Sequence, residues 1–246
     1  MLVLSIGMPR AGSGLYYNLT HDLLVAAGYQ DARQVRSRYF LQKILTEVNL
    51  NIGTLKPHRL LPVLAPSLLG KTYAIKAHAE PTGTARWLMR RTLLRAAYIY
   101  RDPRDAMLSA IEHGERSRAG GHKNAFAELA SFEQALEFMR FYVWVSEQWL
   151  ALPETFATRY EDLMSDYDTQ TLRLIQALEL GIDPGQPAVQ AVIERYRPER
   201  ARQSQESGLH FQKGKVGRFR QVFSPEQQTA CNQVFAPYIS RMGYDP

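Results

Sequence analysis

Cys231 is the only cysteine in this 246-residue chain, so no disulfide can form within it. Long apolar runs are missing as well. No run approaches the length that crosses a bilayer, and the N-terminal apolar stretch, roughly six residues with no charged leader, reads as a strand rather than a signal peptide. The expectation is a cytoplasmic protein with no membrane partner. No spacing among the six histidines suggests a metal site, so no metal is expected. No helix-turn-helix, zinc-finger or RNP-type pattern accompanies the basic residues, which argues against a nucleic-acid partner despite a net charge of +6. The chain also lacks an internal repeat, a low-complexity tail and the Gly-Lys-Ser/Thr ending with which a Walker A loop serves ATP and magnesium.

What is present is a core-forming, mildly basic composition, 45% hydrophobic, most simply read as one domain over residues 1–246. Leu2 to Ile6, Thr72 to His78, Ala96 to Tyr100 and Thr155 to Tyr160 read as strands. Helical periodicity runs through Leu15 to Ala27, about 131 to 151, about 168 to 180, and Pro225 to Arg241 with Ser224 as N-cap. Strands separated by helices predict an α/β fold with a central parallel sheet flanked by helices. Residues 29–70 give no sheet signal and read as irregular, and Gly114 to Asn124 reads as an exposed loop. His21 and His113 fall in helices; His58, His122 and His210 fall in irregular segments. Cys231 sits at an apolar position of a helix and reads as a small buried hydrophobe.

Two stretches have the form of anion sites. Gly7-Met-Pro-Arg-Ala-Gly-Ser-Gly14 joins the first strand to the first helix, an order that makes a phosphate cradle: glycines let backbone N–H groups approach an anion and Arg10 adds a bidentate donor. A plain turn between strand and helix is the competing reading. In Ala96-Ala-Tyr-Ile-Tyr-Arg101-Asp-Pro-Arg-Asp105, Pro103 suits the first turn of a helix beginning near Asp102. Arg101 then lies at the carboxyl end of a strand beside a helix N-terminus, with Ser109 two turns on. A structural salt bridge with Asp102 or Asp105 is the alternative. Arg86, Arg90, Arg91, Arg95, Arg101 and Arg104 concentrate charge around this strand, and Lys213, Lys215, Arg218 and Arg220 form a second cluster.

Taken in order, Pro9-Arg-Ala-Gly-Ser13, Lys76-Ala-His78, Arg101 with Ser109, Arg159-Tyr-Glu-Asp-Leu163 and Lys213-Gly214 resemble the segments of PAPS-dependent sulfotransferases. The resemblance implies a P-loop-like loop from Pro9 through Arg10, Ala11, Gly12, Ser13 and Gly14 that holds the 5′-phosphosulfate of PAPS. It implies Arg101 and Ser109 on the 3′-phosphate, Lys213 and Gly214 closing over it, and Tyr160 near the adenine, with PAP as product. Arg10 stands where cytosolic members carry lysine, Leu15 where they carry tryptophan, and Gln212 where they carry arginine.

Lys76 and His78 alternate on one face at the end of a strand, directed toward the cleft where the glycine loop presents its anion. The resemblance makes this Lys-x-His the catalytic pair, with His78 as general base toward an acceptor hydroxyl or amine and Arg10 stabilising charge on the leaving phosphate. Glu80, two residues on, is the second candidate base. Tyr39, Phe40, Trp87 and Phe126 would suit an apolar or aromatic acceptor pocket, and a small molecule or a carbohydrate is the expected partner. A non-catalytic PAP- or nucleotide-binding protein of the same fold and a P-loop-type nucleotide kinase remain alternatives.

Overall fold

The structure is a computed structural model that describes residues 1–203 and 216–246. In chain order its elements are β1 (Leu2–Gly7), α1 (Ser13–Ala26), α2 (Ala32–Arg38), a 3-10 turn (Leu41–Lys43), α3 (Pro57–Leu68) and β2 (Tyr73–Ala77). There follow α4 (Gly83–Arg90), β3 (Leu94–Tyr100), α5 (Pro103–Ala119), α6 (Phe132–Leu150) and β4 (Thr155–Arg159). The chain continues through α7 (Tyr160–Ser165), α8 (Tyr167–Leu178), α9 (Pro187–Arg195), α10 (Pro198–Gln203), α11 (Phe219–Val222) and α12 (Pro225–Arg241).

The strands form one parallel sheet in the order β2-β1-β3-β4. Every residue of β1 and β2 is buried, as expected of strands covered on both faces. Alternation sorts their side chains. Leu2, Leu4 and Ile6 of β1 join Tyr73, Ile75 and Ala77 of β2 and Tyr98 of β3 in a core under α3, α4 and part of α6. Val3, Ala74, Ala97 and Ile99 point the other way, against α1, α8 and α9. A third apolar cluster joins α5, α6, α11 and α12, and Cys231 is fully buried in it. The Ser224 cap of α12 is a complete capping box with Gln227.

From β1 the chain crosses to β2 on one side, then returns past β1 to β3 on the other. That reversal is the switch point where open α/β sheets bind ligands, and it brings the loop after β1 beside the loop after β3. The loops touch: the Met8 N–H donates to the Ile99 carbonyl at 3.1 Å. Gly7 is required here because a Cβ would lie 2.7 Å from Ile99 Cγ2 and 2.8 Å from Ser13 Cβ.

Three sequence expectations need correction. Residues 29–70 contain α2 and α3, the latter carrying His58, with Pro57 in its first turn and Pro62 and Pro66 inside it. Three prolines in ten residues masked the helical period. The expected loop at 114–124 begins instead inside α5, which runs to Ala119, because Gly114 is the residue that lets this helix approach the Phe126 carbonyl. The basic cluster around β3 is also dispersed. Arg95 pairs with Glu179, Arg86 bonds Gln148, and Arg104 is fully buried in a structural lock on Asp102, Asn232 and the Asp245 carbonyl.

Candidate active site

A cavity of about 410 Å3 opens at the switch point, lined from the first loop by Pro9, Arg10, Gly12, Ser13 and Gly14. Lys76, His78, Arg101, Ser109 and Tyr160 line it from four other segments. Of the residues expected at the site, Ala11 does not face the cavity; its side chain is buried and its N–H donates to the Met8 carbonyl at 3.1 Å. Lys213 and Gly214 lie outside the described residues.

The first loop is shaped by two left-handed residues, Arg10 at φ +66° and Gly12 at φ +79°. A side chain in that region costs roughly 1–2 kcal/mol, so Arg10 is held there by its surroundings. Its Nε donates to Ser109 Oγ at 3.2 Å, and its guanidinium sits 5.8 Å from the centre of the Phe126 ring. Gly12 caps α1 without a side-chain bond and no acidic residue occupies the first turn of that helix, so its positive end faces the cavity without a carboxylate of its own. A Cβ on Gly12 would lie 2.8 Å from the Tyr160 ring. Gly12→Ala is therefore expected to destabilise the chain by at least about 1–2 kcal/mol, the left-handed penalty alone. An unchanged melting temperature would contradict that geometry.

Arg101 makes one of the two ion pairs that the sequence offered as the alternative to an anion site, and it faces the cavity as well. It pairs with Asp105, Nη2 to Oδ2 at 3.3 Å, and it also lines the cavity, its guanidinium 4.4 Å from the centre of the Tyr160 ring. Asp102 instead caps α5 and pairs with Arg104 at 2.8 Å.

Positive charge accumulates here. Burial, then Arg116 and Arg101, lower the Arg10 pKa to about 10, with Glu112 opposing. Burial, then Arg10, lowers Lys76 to about 8. Burial, then Lys76, lowers His78 to about 3, against a bond to Gly7 that raises it. The cavity thus presses cations together and keeps the imidazole neutral. His78 Nδ1 lies 2.6 Å from the Gly7 carbonyl, which only accepts, so Nδ1 carries the proton and Nε2 keeps its lone pair. Glu80 is not among the lining residues.

The sequence reading missed much of the far wall. Glu112, His113 and Arg116 follow Ser109 at helical spacing, and reading α5 through Gly114 would have found them. Phe126 lines the cavity as expected, edge to face with His113 at 5.0 Å and Phe138 at 5.7 Å, and Phe138 meets Tyr142 at 4.9 Å. Tyr39, Phe40 and Trp87 are not among the lining residues; Phe40 is 85% exposed and Trp87 50% exposed. Thr46, Val48, Asn49 and Asn51 close the opposite side, carried by an isolated bridge from Asn51 to Lys76 for which the sequence holds no signal. Among the described residues, no group of three His, Cys, Asp or Glu is placed to hold a metal, and no helix is long and apolar enough to cross a membrane.

A family model, the sulfotransferase domain, matches residues 67–243. The chain belongs to the sulfotransferase family. Solved sulfotransferase-like structures share the fold of this sulfotransferase over 97% of its length. A retinol dehydratase complex with androsterone and PAP is 18% identical, with a TM-score of 0.59 over 80% of that chain. A second complex of retinol dehydratase, with retinol and PAP, is 18% identical at 0.60 over 81%. A mouse sulfotransferase complexed with PAP is 14% identical at 0.58 over 83%. No curated protein matches the sulfotransferase in sequence. The nucleotide-kinase alternative gives way to this family membership.

Proposed function

We propose that this sulfotransferase takes its sulfuryl group from PAPS and that His78 is the general base toward the acceptor. The observation that carries the reading is the convergence of Arg10, Lys76, Arg101 and the uncapped start of α1 on one cavity that also holds a neutral His78. A ligand with two separated anionic groups fits this donor set. The loop from Pro9 to Gly14 with Lys76 suits the phosphosulfate, and Arg101 with Ser109 suits the 3′-phosphate. Tyr160, between Gly12 and Arg101, is the ring nearest the adenine in this reading. PAP in the solved relatives supports the same donor.

PAPS supplies a sulfonate activated as a phosphosulfate anhydride. Nε2 of His78 takes the acceptor proton, while the Nδ1 bond to Gly7 fixes the ring and its tautomer. Arg10 and Lys76 stabilise negative charge left on the phosphate side. The edge-packed rings of Phe126, Phe138 and Tyr142 suit a small acceptor carrying a flat apolar ring.

The lowered pKa values set a pH profile. His78, depressed to about 3, is in its basic form throughout the neutral range, so kcat/KM for PAPS should show no fall near pH 6.5. Lys76, depressed to about 8, is a cation below that pH and neutral above it, so kcat/KM should fall as pH rises through about 8. Lys76→Arg, charged at all these pH values, should remove the alkaline fall. A profile flat to pH 10 in the wild type would contradict the role of Lys76.

The donor assignment is tested by titrating PAP and ADP against the wild-type chain. PAP should bind at least about tenfold more tightly, the equivalent of one charge-assisted phosphate contact. Superimposable titrations would remove the 3′-phosphate site from the reading.

A further inference from the structure

Asp105 joins the anion cavity to the C-terminal part of the chain. It stands in the first turn of α5 and its side chain is 1% exposed. Oδ2 accepts from Arg101 Nη2 at 3.3 Å and from the Gly217 N–H at 2.6 Å, and Oδ1 accepts from the Phe219 N–H at 3.1 Å. Between those two amides, Arg218 pairs with Glu112 of α5 at 2.5 and 3.2 Å. Phe219 is buried, 4.3 Å below the Arg104 guanidinium. One carboxylate therefore holds a cavity arginine and two backbone amides from a segment more than a hundred residues away.

A buried carboxylate needs donors on both oxygens. With the Gly217 and Phe219 amides in place, its charge is shared among three donors, and Arg101 keeps positive potential to direct into the cavity. Without them the full charge falls on Arg101, and the pair closes at the expense of any anion in the cavity. We propose that Asp105 is a positioning residue that makes the hold of Arg101 on the anion depend on the docking of Gly217 to Phe219 against α5. The inference rests on the reading that the cavity takes PAP. Coupling of this kind is reciprocal: if docking tightens PAP, PAP tightens docking by the same factor.

Hydrogen exchange at the Gly217 and Phe219 amides of the whole chain, free and with saturating PAP or ADP, reads the coupling directly. PAP should slow these two amides by roughly 5-fold or more, the lower end of typical coupling, and ADP, which lacks the 3′-phosphate, should slow them much less. Asp105→Asn keeps the shape and removes the charge, so Arg101 no longer depends on the docked amides and PAP should slow them no more than ADP does. A merely structural latch would lower the stability of Asp105→Asn yet leave the slowing by PAP in place, and that result overturns the proposal. So does wild-type exchange that PAP leaves unchanged although PAP binds, a result that holds even if the variant fails to fold. Failure of wild-type protein to bind PAP at all would instead remove the donor assignment, and the proposal with it.

Discussion

Replacing His78 with alanine should lower sulfuryl transfer by about 10², the low end for a positioned general base because burial and Lys76 make this imidazole a weak one, and leave PAP affinity nearly unchanged. The separation follows from the tautomer. Nδ1 is committed to the Gly7 carbonyl at 2.6 Å, so the lone pair on Nε2 is what the ring offers to chemistry. Lys76, two residues earlier in the chain, keeps its charge and its place in the cavity wall when the ring is removed. Loss of the bond to Gly7 carries a stability cost of about 1 kcal/mol, which melting curves measure separately from turnover. Glu80→Ala is the control, because Glu80 is outside the lining of the cavity. An inactive Glu80 variant beside a fully active His78 variant would reverse the assignment of the base.

The second large effect is expected at Arg101. Arg101→Ala should abolish the preference for PAP over ADP, a change of about ten- to a hundredfold, since each charge-assisted bond to a phosphate is worth roughly 1.5–3 kcal/mol. Arg101→Lys should keep part of the preference, retaining the charge while losing the planar fork that stacks on Tyr160. Titration of both variants with both nucleotides separates these outcomes. A PAP preference that survives in Arg101→Ala would move the 3′-phosphate to other residues.

The sheet and the inner half of the site were legible because their signals are local. Buried parallel strands are short apolar runs, and Leu2 to Gly7, Tyr73 to Ala77 and Leu94 to Tyr100 carry them plainly. The turn residues after β1 and β3 then announce the loops that the switch point brings together. The outer half was hidden by residues that contradict their own surroundings. Pro62 and Pro66 sit inside α3, and Gly114 sits inside α5 where no larger residue fits against the Phe126 carbonyl. Tertiary packing overrides propensity at both places. Arg104 shows the opposite limit: its position in the sequence put it in the basic cluster around β3, and only its bonds to Asp102, Asn232 and the Asp245 carbonyl reveal a core residue. Arg10 required the structure too, since a left-handed arginine is not foreseeable from composition.

In the proposed reaction this cavity moves a sulfuryl group from PAPS to a small acceptor. The most direct test is incubation of the wild-type chain with PAPS radiolabelled in the sulfonate and a panel of phenols, alkyl alcohols, sugars and amines. Label should appear in at least one ring-bearing hydroxyl acceptor, with stoichiometric release of PAP and with much slower transfer by His78→Ala. Tight binding of PAP with no labelled product from any member of the panel would contradict it, leaving the cavity as a nucleotide-binding site without transfer.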